Sequence, residues 1–175
     1  LLEQWELDEV VADLHILHIL QKVLRKGDWK VTVAIHLGDH ENRPRIMHIW
    51  PGFYDGTIYG VAVDLGSTTI AAHLCDLQTG EVVASSGVMN PQIRFGESYS
   101  MMNPSGAEEM TAAVREGMCA LFTQIATEAN IDKSLIVDAV FVCNPVMHHL
   151  FLGIDPFELG QAPFALATSG ALRLR

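Results

Sequence analysis

The chain has 175 residues, 49% of them apolar and 18% charged, which supports a packed core and excludes intrinsic disorder. Eleven basic residues against twenty-one acidic ones give a net charge of −10, which repels phosphate backbones and anionic membranes and argues against a nucleic acid partner. Cys75, Cys119 and Cys143 are odd in number, far apart and in no CxxC pair, which excludes a disulfide framework and an iron–sulfur ligand run and suits reduced thiols in a cytoplasm.

The start carries Glu3, Glu6, Asp8 and Glu9 where a signal peptide would be basic, and no apolar run approaches the roughly 18 residues that read as a membrane span. A soluble, cytoplasmic protein is expected. The sequence opens at Leu1 without an initiator methionine, as an excised piece of a longer protein would. Residues 1 to 12 carry no clear pattern. Asp13 is placed to cap a helix in which Leu14, Leu17, Ile19 or Leu20, and Leu24 fall near helical spacing, with Arg25 and Lys26 suiting its C-terminal dipole and Gly27 stopping it. From Trp29 the period becomes two, with Val31, Val33, Ile35 and Leu37 alternating with Lys30, Thr32, Ala34 and His36 as a half-buried strand. After a polar loop at 38–42, Arg45 to Trp50 returns as a second strand ended by Pro51-Gly52. This predicts a small α+β unit over residues 1–57, with a boundary in the cluster 51–56.

Beyond the boundary, three strands follow in a row. Residues 58–65 form an almost continuous apolar run, as a strand buried on both faces would; 69–77 and 81–86 are the next two, separated by the turns Gly66-Ser67-Thr68 and Gln78-Thr79-Gly80. A Pro-containing passage leads to Ser105 and Glu108, the spacing of a capping box, which opens a long helix with Met110, Val114, Met118, Leu121 and Ile125 as its buried stripe and Asn130 at its close. A strand over 137–142 ends at Asn144-Pro145, where Asn can cap and Pro can occupy the first position of a short helix, 145–152, that stops at Gly153. The second module therefore runs β-β-β-α-β-α.

Val61 to Thr69 is the segment most suited to chemistry. A strand delivers the carboxylate of Asp64, Gly66 lets the backbone turn and approach a ligand closely, and Ser67, Thr68 and Thr69 offer hydroxyls and amides to an anion. In that reading Asp64 holds Mg²⁺ through water or orients an attacking oxygen, while Gly66 to Thr69 wrap a nucleotide's phosphates. The plainer alternative is a tight β-turn preceded by a turn-favouring Asp. Asn144-Pro145 reads first as a helix cap and second as a place where helix N–H groups meet an anion. His148 and His149 point to different helix faces and read as structural. His15 and His18, one turn apart, lack a third ligand nearby in sequence for a metal.

Asp64 to Thr69 (DLGSTT), with Asp76 to Glu81 (DLQTGE) after it, resembles the first phosphate loop of the superfamily of acetate kinase, sugar kinases, actin and heat-shock chaperones. Residues 90–97 (NPQIRFGE) and 144–156 (NPVMHHLFLGIDP), with 29–33 (WKVTV) and 49–53 (IWPGF), resemble more narrowly the ATP-dependent reductive activators of corrinoid proteins, over most of residues 13–175. That resemblance implies an α/β (α+β) chain: linker and small middle domain over 1–57, then over 58–175 the first half of an actin-like, ribonuclease H-like ATPase domain with a mixed sheet. It implies ATP and Mg²⁺ as cofactors and a 2Fe–2S cluster in the parent protein but not in this chain. It implies a corrinoid protein of a methyltransferase system as partner, reduced from Co(II) to Co(I); a second copy of the chain, forming a homodimer, is a separate candidate partner. Asp64 would be the catalytic and Mg²⁺-supporting residue, and Gly66, Ser67, Thr68, Thr69 and Asn144 would bind the nucleotide. The second phosphate loop and the adenosine segment would lie beyond Arg175, so the chain alone would not hydrolyse ATP efficiently.

The sequence departs from the family pattern in two places. Ser98-Tyr99 follows Gly96-Glu97 directly, where the family has roughly half a dozen further residues, as a deletion or an omitted loop would leave it; and Cys143 stands where the family has Gly before Asn. Two alternatives differ in class: a non-catalytic docking and dimerisation module, and a small-molecule kinase of the same superfamily.

Overall fold

A computed structural model describes residues 5, 7–38, 43–95, 105–168 and 170. The chain divides into two compact units, with the division between Thr57 and Ile58.

In the first unit the expected helix and two strands form, and a short strand joins them. β1 (Val11–Ala12) pairs parallel with β3 (Arg45–Pro51), and β2 (Val31–His36) pairs antiparallel with β3, giving the order β1-β3-β2. Helix α1 (Leu14–Lys26) buries Ile16, and β3 buries Ile49. Asp13 occupies the N-cap position but makes no capping bond; its carboxylate instead lies 3.8 Å from the Arg45 guanidinium, a tertiary partner that competes with the local one. The Thr32 hydroxyl donates to Gly52 O at 2.9 Å and accepts from the Tyr54 N–H at 2.9 Å, fastening the turn after β3. Trp50 stacks on Tyr54 with centroids 4.5 Å apart, and His48 packs at 4.5 Å from Trp50. Burial, with the neighbouring charge of His15, pushes the His48 imidazole below its ordinary pKa.

The second unit follows the expected element order. β4 (Tyr59–Leu65), β5 (Thr69–Asp76) and β6 (Val82–Met89) form an antiparallel meander, and β6 extends three residues past the expected end. A 3-10 turn (Pro91–Phe95) precedes α2 (Gly106–Glu128), which leads to β7 (Ile136–Cys143) and α3 (Pro145–Leu152). β7 pairs parallel with β4, so the sheet is mixed, as expected, and has the order β6-β5-β4-β7.

Strict alternation builds the core. Val61, Val63 and Leu65 of β4 and Ile70, Ala72 and Leu74 of β5 turn inward against Met110, Val114, Met118, Leu121 and Ile125 of α2 and Met147 and Leu150 of α3. All five residues expected along the helix stripe are buried. β4 is not buried on both faces in this chain: Ala62 and Asp64 are exposed, and beside them Val140 and Val142 of β7 are 61% and 68% exposed.

Helix ends follow local chemistry where no tertiary partner interferes. Asn130, with φ of 54°, closes α2 as its N–H donates to Thr127 O and the Ile131 N–H to Ala126 O, both at 3.0 Å. At the other end the capping box does not form, because the Ser105 hydroxyl donates to the Glu109 carboxylate at 3.1 Å. The C-terminal carbonyls of α3 are held from α2: Thr111 donates to Leu150 O at 2.7 Å, and Arg115 donates twice to Phe151 O, at 3.0 and 2.8 Å. His149 is buried, with Nε2 accepting from the Ala167 N–H at 3.1 Å, so its proton sits on Nδ1 and donates to Pro145 O at 2.8 Å. The Glu97–Ser98 junction lies outside the described residues.

Candidate functional site

The antiparallel and parallel pairings make β4, β6 and β7 run the same way, so all three end at one edge of the sheet. Leu65 pairs with Cys143, and Thr69 with Met89. The turn after Leu65, the residue Asn90 and the cap Asn144 are therefore delivered to the same edge. The carboxyl ends of strands are where open α/β sheets hold ligands.

The turn is tight. Gly66 N–H donates to Thr69 O at 3.0 Å, and a Cβ added at Gly66 would lie 2.6 Å from that same oxygen, so the sequence needs glycine here. Ser67, Thr68 and Thr69 are exposed, and among the described residues the N–H groups of Ser67 and Thr68 have no partner. Asp64 sits two residues before Gly66, exposed, in register with Val142 and with no hydrogen bond or ion pair among the described residues. Together these give a free carboxylate, two free amides and three hydroxyls around a backbone that a ligand can approach closely.

Asn144 is committed to its helix. Its Oδ1 accepts from the Met147 N–H at 2.9 Å, and Pro145 follows at the first helical position. The structure thus brings Asp64, Gly66–Thr69 and Asn144 to one edge, with the side-chain oxygen of Asn144 used as a cap. Cys143 is half-buried; burial, and then the charge of Asp64, push its thiol above the ordinary range.

That coupling is measurable. Cys119 is exposed and is expected to react with iodoacetamide well before Cys143. Asp64→Asn should then speed Cys143 alone, read by mass spectrometry against time at fixed pH; an unchanged Cys143 rate would mean that the two groups do not sense each other.

Sequence reasoning missed one polar cluster. Asn90 is fully buried, and Gln92, 4% exposed, reaches from the 3-10 turn to Met110 O at 3.0 Å. The only local signal is an Asn-Pro step after a strand, which ordinarily reads as loop. Gly117 allows α2 to come this close, since a Cβ there would lie 2.8 Å from Pro91 Cγ.

The two units and the strand-edge turn define a two-part α+β chain. Residues 1–56 match the family model described as the RACo linker region and residues 59–175 the model described as the RACo middle region. The chain belongs to the RACo family. A corrinoid activation enzyme of Eubacterium limosum, RamQ, is 32% identical over 124 residues, which are 67% of this chain and 21% of the relative. A solved structure titled as a reductive activator for a corrinoid, iron-sulfur protein superposes with a TM-score of 0.78 at 31% identity, over 95% of this chain and 27% of the other. The chain thus spans about a fifth to a quarter of the relatives it matches.

Proposed function

We propose that the chain is the linker and middle region of a protein that uses ATP to return a corrinoid protein from Co(II) to Co(I). A 2Fe–2S cluster carried elsewhere in the parent would supply the electron, and nucleotide hydrolysis would supply the free energy for that uphill reduction. The observation that carries this reading is the likeness, over 95% of the chain at 31% identity, to a protein titled a reductive activator.

The residues at the strand edge fit a magnesium nucleotide. Phosphate is an acceptor-only anion, and the free N–H groups of Ser67 and Thr68 with the hydroxyls of Ser67, Thr68 and Thr69 are donors without competing partners among the described residues. The exposed carboxylate of Asp64 suits a hydrated Mg²⁺, which keeps several waters and takes one or two carboxylates. Bound there, the nucleotide would supply the driving force, and this chain's share is to hold its phosphates and keep Gly66 close to them. The three cysteines do not fit a 2Fe–2S cluster, which takes four thiolates; Cys75, Cys119 and Cys143 belong to no group of three or more metal-binding side chains among the described residues. The corrinoid partner, the methyltransferase system it serves and a cytoplasmic location are parts of the same proposal.

The test uses the complete parent protein with its cluster reduced. Adding a corrinoid protein in the Co(II) state should raise ATP turnover, and the Co(I) absorbance should appear only with ATP present. Phosphate transfer to a small hydroxylated acceptor, with no response to the corrinoid protein, would point to a kinase instead.

A further inference from the structure

The turn at 66–69 does not hold its own shape by the usual pair of hairpin bonds. Gly66 N–H reaches Thr69 O, but the Gly66 carbonyl turns to a side chain: Asn90 Nδ2 donates to Gly66 O at 2.9 Å. The backbone of the same residue grips the turn a second time, Asn90 N–H donating to Thr68 O at 2.8 Å. Asn90 itself is fully buried and locked from three sides. Its Oδ1 accepts from the Gln92 N–H at 3.0 Å, and its Nδ2 lies 3.2 Å from Gln92 Oε1 and 3.6 Å from Met147 Sδ. Gln92 is in turn anchored to Met110 O of α2.

Peptide planarity gives this arrangement a consequence. In a trans peptide the carbonyl and the following N–H point in opposite directions. Holding the Gly66 carbonyl inward on Asn90 therefore turns the Ser67 N–H outward, and holding the Thr68 carbonyl on Asn90 turns the Thr69 N–H away from it. The same two bonds keep two carbonyl oxygens, which repel an anion, off the ligand side.

We infer that Asn90 is the positioning residue of the turn, holding the Gly66 and Thr68 carbonyls off the ligand side so that the Ser67 N–H faces a bound phosphate group. The inference rests on the reading of that turn as a nucleotide-phosphate site. Asn90 touches no ligand itself. It ties the turn to α2 through Gln92 and to α3 through Met147, so the orientation of the amides is set by the packed core and not by the exposed turn. A carboxamide at Asn90 is required because its NH2 group supplies a donor where Gly66 O needs one; a carboxylate of the same shape supplies only acceptors.

The experiment is Asn90→Asp in the complete parent protein, with a non-hydrolysable ATP analogue and Mg²⁺ as the probe. The expected result is a dissociation constant raised roughly tenfold, as loss of one buried hydrogen bond implies, with KM for ATP rising in step, while Met147→Leu, which keeps both grips on the turn, leaves affinity near that of the unmodified protein. Unchanged affinity in a folded Asn90→Asp protein overturns the inference. Should that variant not fold, the unmodified protein still decides: the analogue should slow hydrogen exchange at Asn90 N–H together with Ser67 N–H, and slowing at Ser67 alone overturns it. If the unmodified protein binds no analogue, the phosphate reading fails, an outcome distinct from either of these.

Discussion

Asp64→Asn in the complete parent protein should lower ATP turnover by on the order of a hundredfold, the scale of removing one preorganised electrostatic contact from a transition state. The substitution keeps the shape and removes the charge that a hydrated Mg²⁺ needs. Folding should hardly change, because Asp64 is exposed and makes no hydrogen bond or ion pair among the described residues. The two readouts are steady-state phosphate release and a thermal unfolding midpoint. Wild-type turnover at an unchanged midpoint would remove Asp64 from the mechanism. A fall in both would mean that the carboxylate supports the fold.

Gly66→Ala is the second large effect, and its cause is steric. The added Cβ would lie 2.6 Å from Thr69 O, a backbone atom that cannot rotate away, so the hairpin must open to admit it. Such overpacking costs about 1–3 kcal/mol, and opening the turn also releases the Gly66 carbonyl from Asn90. The expected outcome is a lower denaturant midpoint for this chain and, in the parent, weakened binding of a non-hydrolysable ATP analogue. Gly87→Ala is the control within the same sheet. Its Cβ would meet Ile70 O at 3.5 Å, an ordinary contact, so the unfolding free energy should change by less than about 0.5 kcal/mol and the midpoint hardly move. Equal midpoint shifts for the two variants would show that glycine at 66 is dispensable.

Much of the second unit could be read along the chain because its signals are local. Asn144, Pro145 and Gly153 bound α3 through bonds within a few residues, and Asn130 ends α2 in the same way. The stripe from Met110 to Ile125 needs only the helical period. Where a local signal failed, a competitor at another position had taken the side chain. Arg45 draws Asp13 from its cap, and Glu109 takes the Ser105 hydroxyl that Glu108 was expected to share. β1 escaped notice because two residues paired to a distant strand carry no period.

For the site, the order of residue types from Asp64 to Thr69 was enough to mark a turn able to meet an anion, since the carboxylate, the glycine and the hydroxyls are contiguous. Asn90 was not visible in this way. Its partners at Gly66, Thr68, Gln92 and Met147 are spread over 57 residues of sequence separation at the farthest, and an Asn-Pro step looks the same whether buried or exposed.

Period, capping and turn chemistry act between near neighbours, so the long helices, every strand but β1, the glycine-hinged turn and the family pattern were legible along the chain. The order β6-β5-β4-β7, the shared strand edge and the burial of Asn90 come from long-range packing. Pairing β7 beside β4 joins segments more than seventy residues apart, and the core that closes around them has no signature shorter than the fold.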